Sequence, residues 1–219
     1  MSSTMIYNKP IEVIIEIKGF FRIGGETDFR SAFLPLARNK SSKIPISLVN
    51  MTSSFKGILR KSAMRFINSK ILSQNNELKN MLTNSLFKLF GKSGKMQGTI
   101  IFEFVGFEDT VLRIDIRPGI KINPVFGSIE EKHIFFYEYV YNSYNCLKNI
   151  KLKFRMTPLY PLNEYDCILL FTAINGLRYD NIGGFNSRGG GFIENILVDE
   201  NFTNRAKKIV NKLKVLKNV

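Results

Sequence analysis

Residues Ile150–Met156 read IKLKFRM. Ile150, Leu152, Phe154 and Met156 fall on one side of an extended chain, and Lys151, Lys153 and Arg155 on the other. Period two over seven residues is the pattern of a half-buried strand. EYDCILLFTAINGLRY, Glu164–Tyr179, follows as a helix that can pack on that strand's sheet, and FIENILV, Phe192–Val198, returns as a strand. The first half of the chain also opens with a strand and a helix. IEVIIEIKGFF, Ile11–Phe21, is a strand with Ile11, Val13, Ile15 and Ile17 on one face and Glu12 and Glu16 on the other. SSFKGILRKSAMRFINSKIL, Ser53–Leu72, spaces Phe55, Ile58, Leu59, Ala63, Phe66 and Ile67 as one helical face. Ser53 or Ser54 is placed to cap its start.

A second helix runs from about Glu77 to Phe90 and stops at Gly91. TIIFEFVGF and VLRIDIR read as strands joined by a short turn near Glu108 and Asp109, and HIFFYEYVY is another strand before IKLKFRM. Strand, helix, paired strands, helix, strand is the β-α-β-β-α-β order, so the fold class is α+β with a ferredoxin-like (RRM-like) core in a single domain over residues 1–219. Two insertions interrupt it. A long first loop, about 22–50, carries Gly24, Gly25, Pro35 and Pro45. A second excursion, about 117–135, begins RPGIKINPVFG. The tail forms a helix, about 201–218, with Phe202, Ala206, Ile209, Leu213 and Leu216 on one face and a basic opposite face. Sheets of this architecture often bind single-stranded RNA across an open face.

Composition narrows the function. Hydrophobic residues make up 44% of the 219, enough for a packed core. Thirty-two Lys and Arg against eighteen Asp and Glu give a net charge of +14, which favours a polyanionic partner, nucleic acid first. His133 is the single histidine, so a histidine pair for acid–base catalysis and a histidine-rich metal site are excluded within the chain. Cys146 and Cys167 lack the paired spacing of a zinc site. No cofactor is expected. No apolar run is long enough to span a bilayer and MSSTMIYNKP lacks a secretory-signal pattern, so the expected location is cytoplasmic, without a membrane partner.

Two stretches could carry binding chemistry. GGFNSRGGGF, Gly183–Phe192, sets five glycines around Arg188. Successive glycines let backbone N–H groups approach an anion, and a guanidinium fork fits phosphate. A tight turn from helix to edge strand would demand the same glycines. The stretch lacks the Gly-Lys-Ser/Thr of a nucleotide-hydrolysing loop. On the helix from Ser53, Lys56, Arg60 and Arg65 project outward, and an anion at its start would meet the helix dipole and two cations together. A solvated basic face would look the same.

Four landmarks in order resemble the CRISPR-associated RAMP proteins. IPISLVNMTSSFKGILRKSAMRF resembles their "iPgSSlKGvlR" segment; SLFKLFGKSGKMQGTIIFE resembles an "lFG" followed by a strand. IRPGIKIN resembles the start of a central insertion, and GGFNSRGGGFIENI resembles the glycine-rich "GG-x-x-s-R-G-x-G" signature. The resemblance spans nearly the whole chain and is nearest to the backbone subunit of type III effector complexes. It implies a chain that binds guide RNA (crRNA) backbone, meets target RNA and other effector subunits, and assembles with copies of itself along RNA. On that resemblance Ser53, Ser54, Lys56, Gly57 and Arg60 grip phosphates, and Arg188 with Gly189, Gly190 and Gly191 touches or buttresses the RNA. Arg117 and Lys121 stand at the base of a short thumb-like hairpin that wedges between guide bases. Arg22, where the long first loop begins, joins the RNA-binding set.

Departures bear on cleavage. Backbone subunits that cut target RNA carry an aspartate in the first loop, just before a P-V-I-K/R-D stretch. Here AFLPLARN stands there, with Ala32, Phe33 and Leu34 at the comparable place and Asp28 a few residues early. No catalytic or metal-binding residue is therefore expected, and the chain is expected to be non-slicing. The alternative is an endoribonuclease, either a slicer using Asp28 or a repeat-processing enzyme using His133 or a tyrosine and lysine. A generic RNA-binding ferredoxin-like protein is a further reading.

Overall fold

The computed structural model describes residues 7–24, 33–34, 36, 48–70, 72, 75–108, 112–122, 125, 129–142, 149–184 and 189–215. The core sheet has the order β4(Ile100–Glu108), β7(Ile150–Pro158), β1(Ile11–Lys18), β8(Phe192–Val198), every neighbouring pair antiparallel. Chain order around it is β1, helix, β4, β7, helix, β8. The sheet therefore has the strand order of a ferredoxin-like core, with the first strand in the interior and the last at one edge. Ile11, Val13, Ile15 and Ile17 bury one face of β1, as the alternation requires, beside Ile150, Leu152, Phe154 and Met156 of β7.

α1(Leu48–Ile67) and α3(Glu164–Gly176) cover that face. Phe55 of α1 stacks on Phe154 of β7 with centroids 4.2 Å apart, and Phe102 of β4 meets both Phe55 and Phe90. α2(Asn76–Phe90) is capped by the Asn75 side chain, which accepts from the Leu78 N–H, and ends at Gly91 with φ +85°. α3 opens with a reciprocal cap between Asn163 and Asp166, and the buried Asp166 carboxylate receives Lys88 from α2. α4(Glu200–Val215) lays the buried Phe202, Ala206 and Ile209 against the core; Leu216 lies outside the described residues.

Three expectations change. α1 begins at Leu48, so Ser53 and Ser54 lie inside the helix and cap nothing. The physical reason is Met51, fully buried four residues before Phe55, which extends the apolar stripe upstream by a turn. The helix also ends at Ile67, beyond which the Ser69 N–H donates to the Phe66 carbonyl and the Leu72 N–H to that of Ser69. IEVIIEIKGFF is two strands. Gly19 takes φ +77°, and β2(Phe20–Phe21) leaves the core sheet for another.

That second sheet is built on a long hairpin, β5(Leu112–Ile122) and β6(Ile129–Asn142). Pro118 sits within β5 opposite Phe136 and does not end it. The other edge of β6 takes β2 at Val140 and Tyr141, and β3(Phe33–Leu34), in parallel, at Phe136 and Tyr137. β5 and β6 interrupt the core between β4 and β7 in sequence.

Candidate nucleic-acid interface

Asn50, Ser53, Ser54 and Gly57 recur at intervals of three and four along α1 and so share one face. With Ile58 they form one wall of a cleft of about 400 Å³, and Ile23, Gly24, Gly183 and Gly184 form the other. Two segments about 130 residues apart are thus brought together. Six of the nine lining residues are glycine or serine, so a ligand in the cleft would meet backbone and hydroxyls beside Ile23, Ile58 and Asn50.

The glycine wall is held by main chain. The Gly184 N–H donates to the Arg22 carbonyl oxygen at 2.7 Å, and the Gly191 N–H to that of Phe20 at 2.8 Å. At Gly183, φ +87°, a Cβ would fall 2.2 Å from the Arg22 carbonyl oxygen; at Gly191, φ +67°, it would fall 1.9 Å from that of Ile182. These two glycines answer a demand of chain packing. Gly190 is buried and its carbonyl accepts from Asn181 Nδ2. Gly189 is exposed, with φ +78° and open space around it. None of Gly189, Gly190 and Gly191 lines the cleft. Arg188 lies outside the described residues.

The cations divide by position. Arg60 is half-buried on the flank of the α1 stripe, without an ion pair among the described residues. Lys56 lies over the Phe102 ring, 5.6 Å from its centroid. Arg65, read from the sequence as another outward cation, is pinned to the buried Asp180, 2.5 Å from Oδ2, and donates to the Gly176 carbonyl. Lys61, which the sequence reading passed over, continues the cleft stripe and is exposed while holding Asp180 at 3.3 Å. Its signal was present: it follows Gly57 by four residues and Ser54 by seven. Asn50 carried no signal in the sequence, Gly24 belongs to the stretch read as the long first loop, and Gly183 and Gly184 open the glycine motif.

Arg22 is only 8% exposed. Its guanidinium lies beside the cleft-lining Gly24, where a Cβ would fall 2.9 Å from Nη1, and is largely withdrawn from solvent. Burial pulls its pKa down, and the Glu138 charge on β6 opposes that shift. Glu138 also accepts the Leu36 N–H at 2.8 Å. This gathers the second sheet, Leu36 and the segment Phe20–Gly24 around one buried acid.

Arg117 lies on the hairpin, away from the cleft, over the rings of Tyr139 at 4.5 Å and Phe20 at 5.5 Å. Lys121 and His133 belong to β5 and β6, with side chains outside the described residues; Ala32 and Asp28 are outside them altogether, while Phe33 and Leu34 form β3. Among the described residues no three His, Cys, Asp or Glu side chains gather where a metal ion could be held, and no helix is long and apolar enough to cross a membrane.

The outer face of the core sheet differs from an RNA-binding sheet. Lys153 and Arg155 pair with Glu12 at 2.9 and 3.2 Å, Arg155 with Glu103 at 3.7 Å, and Lys151 with Glu16 at 3.9 Å. The hydrogen bonds from Lys153 and then Arg155 hold the Glu12 carboxyl below its usual range. The cations of β7 are met by carboxylates of the neighbouring strands. That leaves the cleft as the better anion site.

No curated protein matches the chain. The family model of the RAMP superfamily matches residues 52–194, from the cleft face of α1 through the glycine loop into β8. The chain belongs to the CRISPR-associated RAMP superfamily.

Proposed function

We propose that the chain is an RNA-binding structural subunit of a type III CRISPR effector complex. It holds crRNA backbone against the cleft between α1 and the glycine loop and helps present the guide to target RNA. Its partners are crRNA, target RNA and neighbouring effector subunits. The observation that supports this most is the cleft itself, where the two stretches resembling the family's signatures meet across small side chains and backbone. Phosphodiester oxygens are acceptors, and the hydroxyls of Ser53 and Ser54 with flanking cations suit them. The subunit is non-slicing: Ala32, Phe33 and Leu34 offer no group to deprotonate a 2′-hydroxyl or hold a metal near phosphate.

Salt dependence tests the binding mode. Each phosphate contact on single-stranded nucleic acid adds about −0.7 to the slope of log K against log salt. Lys56→Gln with Arg60→Gln removes two charges and keeps most of each stem. The double variant should bind single-stranded RNA with a slope shallower by about 1.4. An unchanged slope and affinity would assign both residues to a solvated face.

A further inference from the structure

Asp180 joins the two walls of the cleft. It follows the 3₁₀ turn Leu177–Tyr179 at the end of α3 and precedes Gly183 of the glycine wall by three residues. Next to it, the Asn181 side chain donates to the Gly190 carbonyl and the Ile182 N–H to that of Gly191, so the start of the loop is tied to its end. Lys61 approaches from the other wall, one helical turn beyond Gly57, about 6 Å further along α1. Ser62 fastens α1 to α3 beside it. Its buried hydroxyl donates to the Ala173 carbonyl at 2.8 Å, and a Cβ on Gly176 would fall 2.3 Å from its Oγ.

Two cations meet this one carboxylate, and they hold it unequally. The Asp180 side chain is only 4% exposed. Arg65 reaches both its oxygens, Oδ1 at 3.3 Å and Oδ2 at 2.5 Å, and also donates to the Gly176 carbonyl at 3.1 Å. Lys61 makes one contact, 3.3 Å to Oδ1, and its side chain is 70% exposed. A buried carboxylate left unpaired is strongly unfavourable, whereas one contact from an exposed lysine adds little. Arg65 therefore satisfies the acid. The one surplus positive charge of the trio rests on Lys61, facing solvent at the end of the cleft stripe.

We infer that Lys61 is a phosphate ligand for RNA bound in the cleft, and that Arg65 and Asp180 are positioning residues that decide whether its charge is available. The inference rests on the RNA-binding function proposed above. Asp180 keeps the lysine at the cleft while no phosphate is there. A phosphodiester group draws Lys61 off the acid without stranding a buried charge, because Arg65 stays behind. With the arginine removed, Lys61 becomes the one cation on Asp180 among the described residues. It then stays with the acid and is lost to the RNA. Arg65 thus governs a phosphate contact without touching RNA.

The test titrates the full chain with a labelled oligouridine over a series of KCl concentrations and reads the slope of log K against log salt. Circular dichroism checks that each variant is folded. Lys61→Gln should make the slope shallower by about 0.7, the value of one phosphate contact. Arg65→Gln should do the same, and Lys61→Gln with Arg65→Gln should also lose about 0.7 and not about 1.4. Arg65→Gln with Asp180→Asn removes the acid that captures the lysine and should restore the original slope. Arg65→Lys loses the fork but keeps a charge on Asp180, and should keep that slope too. A purely structural role for Arg65 would move these last two variants together with Arg65→Gln. An unchanged slope in Lys61→Gln, an additive loss in the double variant, or a slope that Asp180→Asn fails to restore would overturn the inference. Where Arg65→Gln alone does not fold, Lys61→Gln and the pair Arg65→Gln with Asp180→Asn decide it. A change in slope in Lys56→Gln with Arg60→Gln but none in Lys61→Gln would keep the cleft reading and remove this inference. Absence of RNA binding by the natural chain at low salt would defeat the cleft reading itself, and the inference with it.

Discussion

A methyl group on Gly191 would stand 1.9 Å from the Ile182 carbonyl oxygen, whereas one on Gly57 would meet nothing within 4 Å. Both glycines lie in stretches that resemble family signatures, yet they answer different demands. Gly191 adopts φ +67°, and the carbonyl facing it belongs to backbone that cannot rotate away. Gly191→Ala should therefore cost at least about 2 kcal/mol, from left-handed strain plus displacement of the loop. Gly57 is exposed within α1 and lines the cleft. Gly57→Ala should stabilise the fold by about 1 kcal/mol, the helix-propensity difference. It should also weaken RNA binding by up to about tenfold, the equivalent of about 1.4 kcal/mol, because the methyl fills the space between the walls. Urea unfolding and RNA titration of the two variants check both signs. Equal stability losses, or full RNA affinity in Gly57→Ala, would refute the assignment.

The helices meet through groups that should resist deprotonation. Cys167 of α3 is 1% exposed, and burial, then the Asp166 charge, pushes its thiol up from 9.0 to about 12. Tyr7 packs edge-on against Phe202 of α4 and bonds Asp199, which also accepts the Phe202 N–H. Burial, then Asp199, pushes the Tyr7 hydroxyl from 10.0 to about 12. Both groups keep their protons in the folded state after the unfolded chain has lost them. Their contribution is fully present below pH 9 and falls as pH rises from there toward 12. Urea midpoints should decline above pH 9, and Cys167→Ala should flatten the first part of that decline. Parallel pH curves for the two proteins would refute it.

These elements also show what was legible in the sequence. The strict alternation of β1 and β7 and the stop at Gly91 are local signals, and local signals read correctly. The start of α1 was misplaced because serine is a good cap in isolation, while the burial of Met51 is a tertiary fact. The split of the first strand depends on Gly19 and on pairing with Tyr141, some 120 residues away, which no local pattern encodes. For the interface, the two stretches were visible, but not that Arg65 serves Asp180 or that Arg22 is enclosed.

At the scale of the whole molecule, the +14 charge is unevenly committed. Lys151, Lys153 and Arg155 are matched by acids on the core sheet and Lys61 shares Asp180 with Arg65, whereas Arg60 at the cleft has no ion pair among the described residues and Arg117 lies on the hairpin. One face of that hairpin carries Ile116, Ile134 and Phe136, each about half exposed. A neighbouring subunit would cover such apolar area, and RNA would set the repeat between neighbours. On this proposal several copies occupy one strand. Sedimentation with single-stranded RNAs of increasing length should show the number of bound copies rising stepwise. Phe136→Glu should leave single-copy binding to a short RNA intact and weaken loading of further copies on a long one, since it sets a charge in the contact while sparing the cleft. Complementary RNA added to the loaded strand with Mg²⁺ should stay whole. One-to-one binding at every length, or undiminished loading by Phe136→Glu, would rule out assembly through this face. Cuts in the added RNA that vanish in Asp28→Ala would show that the first loop retains a catalytic acid.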